Sequence, residues 1–125
     1  GDVLHTLSGH SSSVTAVAIT RDGKRAVSSS LDKTLRVWDL QDGNELRILT
    51  GHTSAVRAVA ITPDGNRAVS ASDDNTLKIW NLSNENEVPI VIEEAYWFNS
   101  VAITPDGKLA VCGANASPIK IYDLQ

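Results

Sequence analysis

A single pattern recurs along this chain at a step of 42 residues, and it restricts the fold more than any other feature. Val17-Ala18-Ile19-Thr20 returns as Val59-Ala60-Ile61-Thr62 and again as Val101-Ala102-Ile103-Thr104. Each copy is followed by an Asp-Gly pair: Asp22-Gly23, Asp64-Gly65 and Asp106-Gly107. Each unit closes on an aromatic residue, Trp38, Trp80 or Tyr122, followed by Asp or Asn and then Leu. Such self-similarity is the mark of a repeat architecture, in which each unit buries its apolar surface against its neighbours.

Within one unit the local signals are those of strands. Val14 to Thr20 is a short apolar run rich in β-branched residues, as expected for a strand buried on both faces. Asp22-Gly23 permits a tight hairpin into a second strand, Arg25 to Ser30. Leu31-Asp32-Lys33 is the next turn, and Thr34 to Asp39 alternates as a third strand should. Asp42-Gly43 turns into a fourth, Glu45 to Leu49. No window carries the i, i+3, i+4 apolar stripe of a helix. Four antiparallel strands in one such repeat match one blade of a β-propeller. The fold class expected is all-β, with three such blades per chain.

The phase of the repeat divides the chain into residues 3–7 as an outer strand, 9–49 and 51–91 as two complete blades, and 93–125 as three strands of a third. Residues 3–7 align with Glu45 to Leu49, so they form a fourth strand with no first three before it. Three blades cannot close a ring, because propellers begin at four. Either the chain is a piece of a longer one, or a different partner supplies the missing blades, or copies join head to tail. The expectation is a head-to-tail ring in which an outer strand is exchanged at each joint. The partner is then the chain itself, as a homodimer of six blades or a homotrimer of nine.

The Gly-His opening, the Asp-x-Thr turn and the Trp-Asp close resemble the WD40 repeat family, over essentially the whole chain. The shared Val-Ala-Ile-Thr-Pro-Asp-Gly run resembles bacterial, especially cyanobacterial, repeats of that family. The resemblance implies a propeller that serves as a scaffold for protein–protein interaction, with an unidentified protein partner and usually no catalysis; the self-assembly follows from the repeat phase above. It also implies one structural hydrogen-bond network per blade: His10, Ser28, Asp32 and Trp38 in the first, His52, Ser70, Asp74 and Trp80 in the second. The third unit departs at each position, with Glu94, Cys112, Ala116 and Tyr122, and is expected to be the weakest blade.

Ser, His and Asp together also suit a hydrolase. However, each serine lies mid-strand with no Gly-x-Ser-x-Gly elbow, and the same trio occurs in two units. A fastening between loop and strands fits better. The three histidines stand apart, with no second ligand at zinc spacing, so no metal and no cofactor are expected. A net charge of −4 argues against nucleic acid and anionic membranes as partners. One cysteine, no leader and no long apolar run point to the cytoplasm.

The informative irregularity is Tyr96-Trp97-Phe98, where the other units have Ser12-Ser13-Val14 and Ser54-Ala55-Val56. Phe98 takes a core valine's place. Tyr96 and Trp97, with Arg57 and Asn99, are the candidate binding residues of the top face, the other reading of Tyr96 and Trp97 being local packing into the space left by the missing Gly-His turn. Two alternatives stay open: a small-molecule or glycan binder using the channel or top face, and a propeller fragment with no independent cellular role.

Overall fold

A computed structural model describes residues 1–115 and 118–125. The first unit gives β1 (Val14–Ile19), β2 (Arg25–Ser30), β3 (Leu35–Asp39) and β4 (Glu45–Leu49). The second gives β5 (Val56–Ile61), β6 (Arg67–Ser72), β7 (Thr76–Asn81) and β8 (Ile90–Glu93). The third gives β9 (Phe98–Ile103), β10 (Leu109–Ala114) and β11 (Lys120–Asp123). They form two four-stranded sheets and one three-stranded sheet, antiparallel throughout, each pairing its strands in chain order.

The hairpins follow from their residues. Gly23, Gly65 and Gly107 all have φ near +73°, a left-handed conformation that favours glycine. The preceding aspartates accept from the backbone of Lys24, Asn66 and Lys108 and from the hydroxyls of Thr20, Thr62 and Thr104.

The sheets stack face to face, and the core lies between them. Val27, Leu35, Val37 and Leu49 of the first sheet pack on Val56, Val59, Ala68 and Trp80 of the second. Ala58, Ala71 and Leu77 of the second pack on Phe98 and Cys112 of the third. A blade is therefore apolar on both faces.

That geometry corrects one expectation for β1. Its counterpart in the second sheet, β5, buries Val56 and Val59, yet Val17 and Ile19 of β1 are each 60% exposed. The sequence is nearly the same in both places. What differs is that, among the described residues, no sheet covers the outer face of the first. The opposite end repeats the observation: Leu77 and Ile79 are buried, and their counterparts Ile119 and Ile121 are 71% and 65% exposed.

Two boundaries also differ from the repeat phase. Residues 3–7, expected as an outer strand, form no strand within the single chain. The fourth strand of the second sheet runs to Glu93, beyond the expected limit at 91. Leu35 faces Leu49 in the first sheet, but Leu77 faces Ile92, one residue later than the repeat would place it. Pro89 stands where Arg47 stands in β4 and has no N–H for the ladder, so pairing starts after it. The one-residue slip exchanges faces, turning Ile92 inward and leaving Val91 exposed.

Candidate functional site

The two complete units hold the same polar chain. His52 donates from Nδ1 to Asp74 Oδ2 at 2.8 Å, because a carboxylate can only accept. Its Nε2 is then the acceptor for the Ser70 hydroxyl at 2.7 Å. The Trp80 indole N–H donates to the same Ser70 oxygen at 2.8 Å. Asp74 also takes the backbone N–H of Thr53 and both the N–H and hydroxyl of Thr76. His10, Ser28, Asp32 and Trp38 repeat the arrangement, with bonds of 2.6 to 2.8 Å. Each set joins the loop before the first strand to the second and third strands, and each imidazole stacks edge-on to its indole.

Chemically this is a closed circuit. Ser70 is fully buried, its proton is directed at His52 and its oxygen is held by Trp80. A nucleophile needs a free approach and an oxyanion hole, and this hydroxyl has no free approach. Asn75 and Lys33 adopt positive φ, 68° and 76°, in the turns that bring the aspartates into place.

The electrostatics give a pH dependence. Burial alone would raise the Asp74 carboxyl, but bonds from Thr76, His52 and the Thr53 N–H outweigh it and hold the pKa at about 2, below its ordinary 3.8. Burial pushes His52 below its ordinary 6.5, against the opposing pull of Asp74. An unfolded chain therefore takes up a proton at this histidine before the folded chain does. Stability from His52 is complete above about pH 6.5 and declines below it. Stability from Asp74 is complete above about pH 4 and is lost as pH falls towards 2. The urea midpoint should drop gently from pH 7 to 5 and steeply below 4. The steep limb should flatten in part in Asp74→Asn, because Asp32 in the first unit is held low in the same way, and a midpoint that rises in acid would contradict the assignment.

The third unit builds a different fastening. Glu94, at the histidine position, accepts from the Tyr122 hydroxyl and from Lys120 Nζ, the latter at 2.9 Å. Those two bonds hold its carboxyl below the usual range. Cys112, at the serine position, is buried, and burial pushes its thiol up to about 11. Ala116 lies outside the described residues. Repetition could not reveal this set, since it occurs once. The available signal was the paired exchange of His for Glu and Trp for Tyr.

The structure separates the four top-face candidates. Tyr96 packs beside Phe98, with the Lys120 ammonium 5.1 Å from its ring centre. Trp97 is 64% exposed. Arg57 and Asn99 sit at ladder irregularities of β5 and β9, where a bulge re-aims the side chain. Arg57 grips Asp73 with Nε and Nη2, at 2.7 to 3.1 Å. Asn99 donates to Asn115 at 2.6 Å. Trp97, Arg57, Asp73, Asn99 and Asn115 line one shallow depression together with Phe98. A larger cleft, which the repeat did not signal, lies at the outer rim between β4 and residues 85–89. Among the described residues, no group of three or more His, Cys, Asp or Glu is placed to hold a metal, and no helix is long and apolar enough to cross a membrane.

The profile of the WD domain, G-beta repeat, family matches residues 1–39 and 43–81. The chain belongs to the WD40 repeat family. WD40 proteins act as protein-interaction scaffolds and are generally non-enzymatic. The chain is 53% identical over 38 residues to the vegetative incompatibility protein HET-E-1 of Podospora anserina, covering 30% of this chain and 3% of that protein. It is 47% identical over 47 residues to the small ribosomal subunit protein RACK1 of Caenorhabditis elegans, covering 38% and 14%. It is 51% identical over 41 residues to the cross-pathway control WD-repeat protein 2 of Flammulina velutipes, covering 33% and 13%. The match thus spans a small fraction of each of these relatives.

Proposed function

We propose that this WD40 chain is a non-enzymatic scaffold for protein–protein interaction whose copies join head to tail into a closed ring of six or nine blades. One observation carries the reading. Positions buried or half-buried at both internal joints are exposed at the two ends, with Val14, Val17 and Ile19 on one face and Ile119 and Ile121 on the other. Docking these faces reproduces the joint the chain already makes twice. Burying such side chains contributes roughly 1–3 kcal/mol each. The contact is heterologous, so copies joined through it form a ring where successive rotations close.

The exchanged outer strand has its own support. β11 is an unpaired edge, and residues 3–7 supply the counterpart of β4. His5 donates to Gln41 O at 2.9 Å, much as Arg47, 42 residues on, donates to Asn81 O in the next sheet. The N-terminal segment thus rests on the first sheet where an outer strand of a preceding blade would rest.

In this reading the His-Ser-Asp-Trp sets fasten the blades, and Trp97, Arg57 and Asn99 form the protein-binding patch of the top face, with Tyr96 as its support. An exposed tryptophan beside a paired arginine is the composition of an interface hot spot. The test of assembly is Ile121→Lys, which should leave the far-ultraviolet spectrum unchanged and reduce the mass in solution to that of one chain. A variant that assembles as the parent does would remove the support.

A further inference from the structure

Both internal joints carry a guanidinium latch. Arg25, the first residue of β2, donates from Nη2 to Gly65 O of the second sheet at 3.1 Å. Arg67, the first residue of β6, donates from Nη1 to Leu124 O of the third. Such charge-assisted bonds are stronger than those between neutral groups. The third unit has Leu109 at this position, at the start of β10 and on the open face. Otherwise that face keeps the docking pattern: Val111, Ile119 and Ile121 are the counterparts of Val27, Leu35 and Val37.

The docking surface is therefore retained while its latch is deleted, and only at the one joint the chain does not close internally. Resting on the ring reading above, we infer that the joint between copies is a releasable apolar seam, the weakest in the ring, where rings open and exchange subunits. The partner is a second copy presenting Val14, Val17 and Ile19. Its Gly23 and Leu40 carbonyls occupy the places that Gly65 and Leu124 hold in the latched joints.

Two variants test this. Leu109→Arg restores the latch and should slow subunit exchange between fluorescently labelled rings about tenfold or more. It should lower the dissociation constant from sedimentation equilibrium by a similar factor. Arg25→Leu removes an internal latch and should lower the urea midpoint while leaving exchange unchanged. Exchange by Leu109→Arg at or above the parent rate, with the parent still a ring, would overturn the inference and leave the ring reading standing. A parent chain that is monomeric at every concentration would overturn both.

Discussion

Replacing Asp74 with alanine is expected to destabilise the protein by about 2–4 kcal/mol. The carboxylate accepts from His52, from the Thr53 N–H and from both donors of Thr76. His52 cannot regain water easily, because its side chain is wholly buried. Thr76 Oγ1 lies 3.2 Å from His52 Nδ1 and can take over part of the lost bond, which limits the upper end. Removing one partner from such a network leaves the others desolvated and unpaired, and that cost exceeds the value of the bond itself. Urea unfolding followed at the tryptophans reads the effect, and an unchanged midpoint would exclude the fastening role.

Phe98→Ala should cost more, about 3–5 kcal/mol. Phe98 is only 2% exposed and packs in the joint between the second and third sheets. Its ring lies 6.2 Å from that of Tyr96 and 6.5 Å from that of Tyr122. The other units hold valine here and pair a histidine edge-on with a tryptophan, whereas in the third unit Phe98, Tyr96 and Tyr122 pack together. Deleting the ring leaves a cavity with no residue placed to collapse into it. Amide exchange should show β9 to β11 losing protection before β1 to β4 do. Uniform loss across all three sheets would mean that the third blade is not a separately fastened unit.

Most of this fold is legible in the sequence because each turn is written in residues with little conformational choice. Asp22-Gly23 and its repeats place the first hairpins, and the Asp-x-Thr turns place the next. The hydrogen-bond sets of the first two blades are legible because they recur. The position of β8 was harder to read, because a single proline, Pro89, shifts pairing by one residue while the landmark spacing stays constant. Exposure of β1 was not legible either. Val17 and Val59 sit in almost the same local sequence, and only the presence of a neighbouring sheet separates their burial. Burial of a blade is a property of the stack. The Glu94, Lys120 and Tyr122 set escaped a reading based on repetition because it replaces the repeated chemistry with a different one.

Absolute mass in solution by light scattering tests the central claim most directly. The account predicts a particle of two or three chains, that is, twice or three times the 13.4 kDa of one chain. A well-folded monomer at 13.4 kDa, stable across concentration, would contradict it.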